Sequence, residues 1–281
     1  MTPGKRERAL TQDKLSRNYE KPFGWWGLER DVVEPLTLPG LISSGTLGAG
    51  EVALLSLAVE MRRSIIVIAE EVQAGKTTLL TALLHFMDPT TRPIYIRGLY
   101  ERFEYLTELE PSSRYVLCNE ISAHLPTYLW GQGVRHLFDG LDKGFPIATT
   151  MHAASADDAL EMLQGYPLEV PAEHVADIDL IVTLKKGMVD GRSVRRVVAI
   201  DRVLERRGSP VTQQLAVRDP LRSAPQLHSG RIVAVLAAWG EIGDDAASRL
   251  LAAQERFLTD CVAKFATDPE GFYRELDRFR T

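Results

Sequence analysis

The chain reads as an α/β fold: a mostly parallel sheet with helices on both faces, followed by a C-terminal helical appendage. Three observations predict it. Short apolar runs rich in β-branched residues at 64–68, 93–97, 114–119 and 146–151 alternate with stretches of helical apolar spacing, the pattern of strands buried on both faces. The first run leads directly into Gly75-Lys76-Thr77 and then into a helix opening, Thr78-Leu79-Leu80-Thr81-Ala82-Leu83-Leu84. Beyond residue 230 the spacing is helical throughout.

Taken in order, residues 1–35 form a polar arm in which Pro22-Phe23-Gly24-Trp25-Trp26-Gly27 concentrates large aromatics. Their plainer reading is packing on the chain's own core, although large aromatics also anchor interfaces. A turn-rich segment from Leu36 leads through Gly48-Ala49-Gly50 into a helix over 52–62, which feeds the strand at 64–68. The later strands are separated by helices over 99–109 and 125–141. A helix at 156–163 precedes two strands, 178–184 and 193–203, folded about the Gly-Met-Val-Asp-Gly turn at 187–191 as an antiparallel hairpin. A connection over 208–230 leads to helices at 231–239, 244–266 and 269–280, the last opened by Asp268-Pro269. The division expected is 1–35 arm, 36–205 core, 206–281 connection and helical region.

With 281 residues, 45% apolar and 25% charged, the chain can bury a sizeable core. A formal net charge of -5 and a pI near 5.8 give no overall drive toward nucleic acid or anionic lipid. Cys118 and Cys261 are the two cysteines, so neither a disulfide framework nor a four-cysteine zinc site is available, which suits a reducing cytoplasm. No apolar run nears the roughly 20 residues that span a bilayer. The stretch Lys5-Arg6-Glu7-Arg8 is not followed by a signal-peptide core. Any membrane association is expected to come through partners.

A complete phosphate-binding loop reads G-x-x-x-x-G-K-S/T: backbone N–H groups wrap the phosphates, the lysine reaches the β and γ phosphates, and the hydroxyl binds Mg²⁺. Here the back half is intact in Gly75, Lys76 and Thr77, with Thr78 following. The front half departs: Glu70 replaces the first glycine, Glu71 follows, and Gln73 stands where related loops often carry another glycine. Glutamate tolerates left-handed backbone and close ligand approach poorly. A carboxylate about 4 Å from a phosphate charge costs on the order of 1 kcal/mol in water and about 4 at an effective dielectric of 20. Without nucleotide, Lys76 can pair with Glu70 or Glu71. The tripeptide alone is weak evidence; the strand before it and the helix after it give it weight.

Two further strand ends carry chemistry. Tyr115-Val116-Leu117-Cys118-Asn119-Glu120 places a carboxylate where an apolar strand leaves the sheet, the position of a residue that orients or deprotonates an attacking water or holds Mg²⁺ through one. Ala148-Thr149-Thr150-Met151-His152-Ala153-Ala154-Ser155 ends its strand on a histidine able to sense a γ-phosphate. Each alone reads more simply as an ordinary strand-end residue; their order after Gly75-Lys76-Thr77 changes that.

That order resembles the secretion-ATPase superfamily, the motors of type II secretion, type IV pili, tight-adherence pili and type IV secretion, whose members have a Walker B motif ending in Glu and a histidine box near T-L/I/M-H-A/T-N-S. The likeness runs from about Leu36 to Val203 and includes Ala176-Asp177-Ile178-Asp179-Leu180-Ile181-Val182 after the histidine box. It implies a RecA-like P-loop NTPase fold and ATP with Mg²⁺ as cofactors. Gly75, Lys76, Thr77 and Thr78 would then bind phosphate, Thr77 and (via water) Glu120 the metal. Glu120 would activate water and His152 read the γ-phosphate. The family's acidic box falls on Tyr95-Ile96-Arg97-Gly98-Leu99-Tyr100-Glu101, where only Glu101 is left as a catalytic match. Arg97, Arg102 and Arg135 are candidates for a guanidinium completing a neighbour's site, with a surface role as the plainer reading.

The resemblance further implies a homo-oligomer, a hexameric ring among the forms open to it, with inner-membrane secretion or pilus components as partners. It implies no nucleic acid, no direct membrane insertion, and a cytoplasmic place at the inner membrane through those partners. The family's separate N-terminal domain is expected to be absent or reduced to the arm. Ala154 replaces the histidine box's usual Asn, so with the loop and the acidic box three functional boxes are altered. An impaired regulatory or scaffold paralogue is therefore the alternative to a hydrolysing motor. An unrelated P-loop protein acting on DNA is a third reading, disfavoured by the acidic balance.

Overall fold

In the parallel half of the sheet, alternation along each strand decides which layer its side chains enter. The computed structural model describes residues 5–24, 36–189, 191–219 and 224–280. Strand β1 (Ile65–Ile68) is buried along its whole length. Its Ile65 and Val67 enter one apolar cluster and its Ile66 and Ile68 the other, as the period of two requires. Each such residue contributes about 1.5–3 kcal/mol of burial.

Strands β2 (Arg92–Tyr95), β3 (Arg114–Leu117), β4 (Ile147–Met151), β5 (Leu180–Val189), β6 (Arg192–Arg206), β7 (Ser209–Val217) and β8 (Gln226–Leu227) complete an eight-stranded sheet in the order β2-β3-β4-β1-β5-β6-β7-β8. From β2 to β5 the pairings are parallel, with Ile65 opposite Ala148 on one side and Leu180 on the other. From β5 to β8 they are antiparallel. The helices α3 (Ala49–Glu60), α4 (Lys76–Leu84), α9 (Ser229–Gly240), α10 (Asp244–Phe265) and α11 (Pro269–Arg280) cover one face, sharing a core of Leu54, Leu79, Leu236, Leu258 and Phe272. On the other face α6 (Gln132–Asp142), α7 (Ala156–Gln164) and α8 (Ala172–Ala176) pack through Leu137, Leu160 and Val175. Two further helices, α1 (Lys5–Tyr19) and α2 (Leu38–Ser43), precede α3.

Four local expectations change. The helix read over 99–109 is a 3₁₀ turn at Gly98–Tyr100 and the short α5 (Tyr105–Glu108). Between them the Glu101 carboxylate accepts from the N–H groups of Arg97, Arg102 and Phe103, taking donors that helix carbonyls would have used, and Phe103 turns left-handed at φ 55°. The helix read over 125–141 starts only at Gln132, because the preceding segment pairs with the loop after β3: Leu129 N–H donates to Glu120 O and Ser122 N–H to Leu129 O. The connection read over 208–230 contains β7 and β8; Arg207 and Gly208, both at positive φ, make the tight turn that folds β7 back on β6. Within the arm, residues 5–19 are helical, and Ser16 and Glu20 hold the buried Arg114 at 2.8 and 3.0 Å. Trp25 and Trp26 lie outside the described residues; Phe23 O accepts from Asn119 Nδ2 at 3.3 Å.

Candidate functional site

A parallel sheet aims the C-terminal ends of its strands to one side, where loops must turn into helices. Here β1, β3 and β4 end beside a cavity of about 760 Å³, a size usual for small-ligand sites. The loop after β1 closes on α4 through Gly75 at φ 97°, a left-handed conformation that suits glycine. Gly75 offers no side-chain cap, so the first N–H groups of α4 face the cavity without an intrahelical partner. Glu70, at the first-glycine position, is exposed and needs no positive φ; Gln73 does, at 60°. Arg195 from β6 fixes this turn by donating from Nε to Gln73 O at 3.0 Å.

Lys76, only 6% exposed, reaches into the cavity floor. Its Nζ lies 3.1 Å from His152 Nε2 and 3.9 Å from Glu120 Oε2. Burial lowers the lysine's pKa, against the opposing pull of Glu120 and Glu71. One oxygen of Glu71, Oε2, is buried without a hydrogen-bond partner among the described residues. Glu120 is buried where β3 leaves the sheet, with the Thr150 hydroxyl 3.2 Å from Oε2 and His152 Nε2 3.4 Å from Oε1. His152 is oriented from behind by Glu70 O, 3.3 Å from Nδ1. The Lys76 ammonium lies against both ring nitrogens of His152, 3.1 Å from Nε2 and 3.4 Å from Nδ1.

The structure thus brings together Gly75, Lys76, Thr77, Thr78, Glu120 and His152 around one cavity. Glu101 is elsewhere. Besides its loop's amides it accepts from the Tyr19 hydroxyl at 2.6 Å, and it borders a separate depression with Trp130 and His136. Arg97 donates to Asn18 O and lies over the Phe23 ring, and Arg135 pairs with Glu169 at 3.5 Å. Arg102 borders the same depression as Glu101. Ala154 N–H is held by Asp158 Oδ2 at 2.7 Å, in the turn opening α7. Sequence reasoning missed His124 and Arg195, which also line the cavity. His124 stands four residues after Glu120, a spacing that becomes informative only once the segment is known to fold back on the strand end.

No family model matches the chain. Among curated proteins it is similar to two uncharacterized proteins of Methanocaldococcus jannaschii. It is 27% identical to MJ0900 over 186 residues, 60% of this chain and 34% of that protein, and 26% identical to MJ1287 over 204 residues, 66% and 74%. The chain therefore spans about a third of the length of MJ0900. Among solved structures it is similar to the VirB11 ATPase from the Brucella suis type IV secretion system, at 20% identity and a TM-score of 0.39, covering 70% of this chain and 62% of that one. It is also similar to the Legionella pneumophila ATPase DotB, at 12% identity and a TM-score of 0.33, covering 92% and 67%. No helix among the described residues is long and apolar enough to cross a membrane.

Proposed function

We propose that the cavity binds ATP with Mg²⁺ and hydrolyses it, in a motor-like subunit of a secretion or pilus machine. The observation that carries this reading is the meeting of Lys76, Glu120 and His152, from three separate strand ends, within 3.1–3.9 Å of one another beside an uncapped helix N-terminus. The donor set suits a polyphosphate: the buried Lys76 ammonium and the free N–H groups opening α4 are all donors on one wall. Thr77 in the first turn would supply a hard-oxygen ligand to Mg²⁺, and Glu120 would hold it through water. The nucleotide supplies the phosphoanhydride and the metal its charge neutralisation. What the chain supplies is position: Lys76 binds phosphate, Glu120 holds or takes a proton from water, and His152, tied to Glu70 O, reports to the loop.

Leu36, Val72 and Leu125 stand exposed at the cavity rim, 54%, 73% and 50% accessible. An apolar rim around a polar floor supports closure by a second copy, and so a homo-oligomer with nucleotide between protomers. Inner-membrane components as partners, and a cytoplasmic location beside them, follow from the sequence resemblance.

The test is nucleotide binding and phosphate release by the full chain, wild type against Lys76→Ala and Glu120→Gln. Lys76→Ala is expected to weaken ATP binding about 10- to 100-fold, the worth of one or two charge-assisted hydrogen bonds. Glu120→Gln is expected to retain binding and lose about 100-fold or more in turnover. Wild-type binding without phosphate release would instead favour the regulatory or scaffold reading, which the buried Glu71 oxygen, without a hydrogen-bond partner among the described residues, supports. Binding indifferent to Lys76→Ala would sink both.

A further inference from the structure

The phosphate chemistry uses Glu120 and His152 but leaves His124, which converges with them in the same cavity, without a part. Glu120, His124 and His152 each offer one ligand atom, and the three atoms lie within 4.8 Å of one another. Both imidazoles are oriented from behind. His152 Nδ1 is held by Glu70 O at 3.3 Å. His124 Nδ1 is 2.8 Å from Ser122 Oγ, the same oxygen that takes the His124 backbone N–H at 3.2 Å. An outer oxygen on Nδ1 fixes the ring, and an imidazole whose Nδ1 donates to that oxygen presents Nε2 as a lone pair, which is how metal-ligating histidines are prepared. The Thr150 hydroxyl occupies one oxygen of Glu120 and leaves the other facing His152.

That last contact is the informative one. His152 Nε2 and Glu120 Oε1 lie 3.4 Å apart, a spacing that one bound cation can bridge. The Lys76 ammonium lies beside them, 3.1 Å from His152 Nε2 and 3.9 Å from Glu120 Oε2, the oxygen that the Thr150 hydroxyl contacts. Neighbouring ligand atoms around a tetrahedral zinc ion are about 3.4 Å apart, given metal–ligand bonds of about 2.0–2.2 Å. The Glu120–His152 pair already has that bite, and the His124 ligand atom lies within 4.8 Å of both.

We propose that Glu120, His124 and His152 form a binding site for a zinc-type transition dication, taken up in exchange for the Lys76 ammonium. Two imidazoles and one carboxylate are a borderline ligand set that favours Zn²⁺ and its first-row neighbours over Mg²⁺, whose preference is for oxygen. The site shares residues with the proposed nucleotide site but does not depend on it, since its three ligand atoms come from the chain itself.

The experiment is titration of the nucleotide-free, chelator-stripped full chain with Zn²⁺ against a chromophoric chelator, in excess Mg²⁺, together with Co²⁺ titration followed by visible absorption. The expected result is one Zn²⁺ per chain and an intense low-coordinate cobalt band. Both should be lost or weakened at least tenfold in His124→Ala and in His152→Ala, with a smaller loss in Ser122→Ala. Lys76→Met removes the competing cation and is expected to tighten Zn²⁺ binding, a gain that misfolding cannot mimic. His136→Ala is the control, since His136 faces Asp139 on α6 away from this cavity. Zinc affinity unchanged in His124→Ala, or reduced as much by His136→Ala, would overturn the proposal. So would a Lys76→Met protein that binds Zn²⁺ no more tightly than wild type.

Discussion

At the scale of single residues, the site turns on how a buried lysine is kept charged. Burial lowers the pKa of Lys76, while Glu120 and Glu71 favour its ammonium form. The two carboxylates differ in use, because Glu120 is placed by Thr150 and His152 whereas Glu71 Oε2 is buried without a hydrogen-bond partner among the described residues. An incoming polyphosphate would meet Glu71 as a like charge that competes with it for Lys76. Removing that charge while keeping its shape, Glu71→Gln, is therefore expected to tighten ATP binding about tenfold, a fraction of the several kcal/mol such a pair costs at close range. Isothermal titration of the variant against wild type checks this, and equal affinities would show that Glu71 does not oppose the nucleotide. Lys76, Glu120 and His152 were legible in the sequence because strand ends must emerge on one side of a parallel sheet. Glu101, expected as the acidic-box match, lies outside this cavity, and the reason is local. Its carboxylate is consumed by the amides of Arg97, Arg102 and Phe103, and a composition of acids after a strand carries no trace of that. His124 gave no signal because nothing in Leu125-Pro126-Thr127 announces that the segment returns to the strand end.

Elements differed in legibility for the same physical reason. Strands β1, β3 and β4 are buried on both faces and mostly apolar, so they stand out as runs, whereas β7 (Ser-Pro-Val-Thr-Gln-Gln-Leu-Ala-Val) is half-buried along most of its length and mixes polar with apolar residues. Its existence rests on the Arg207-Gly208 turn and on pairing with β6, neither of which periodicity reports. The antiparallel half also holds an element-level cost. Asp201 on β6 is 8% exposed, opposite Gln214 of β7. Burial, reinforced by the nearby Asp157, raises its pKa from 3.8 to about 6. In the window between those values the folded chain holds a proton that the unfolded chain has released, so stability falls as pH rises from about 4 through 6 and the loss is complete near pH 7. Asp201→Asn is thus expected to stabilise the protein at pH 7, by about 1–2 kcal/mol after allowance for solvent screening, and by much less at pH 4.5. Urea denaturation at the two pH values measures both; an equal gain at each would assign the effect to packing instead of ionisation.

Across the whole molecule, one buried ion pair joins the start of the core to the end of the sheet. Arg218, just after β7, donates from Nη2 to Glu51 Oε2 at 2.7 Å and from Nη1 to Gly45 O at 2.9 Å, while Gly48 N–H reaches the same Glu51 oxygen at 2.6 Å. Both charged side chains are 1% exposed. The pair thereby fixes the first turn of α3 to a strand more than 160 residues later, and α10 repeats the tie where Gln254 Nε2 donates to Ser56 Oγ at 2.9 Å. Desolvating two charges costs several kcal/mol each, so the pair adds little net stability, yet losing one partner strands the other in an apolar interior. Glu51→Gln and Arg218→Met are each expected to destabilise the chain by about 3–5 kcal/mol, and the double variant by clearly less than the sum. The same cycle tests how the molecule unfolds. The helices after β8 share the Leu54, Leu236 and Leu258 core with α3, so each variant should shift a single cooperative transition. Probes on α10 and on β1 should then report the same midpoint. A variant in which the α10 probe melts first, leaving β1 unmoved, would mean that the pair anchors the tail without coupling it to the sheet that carries the site.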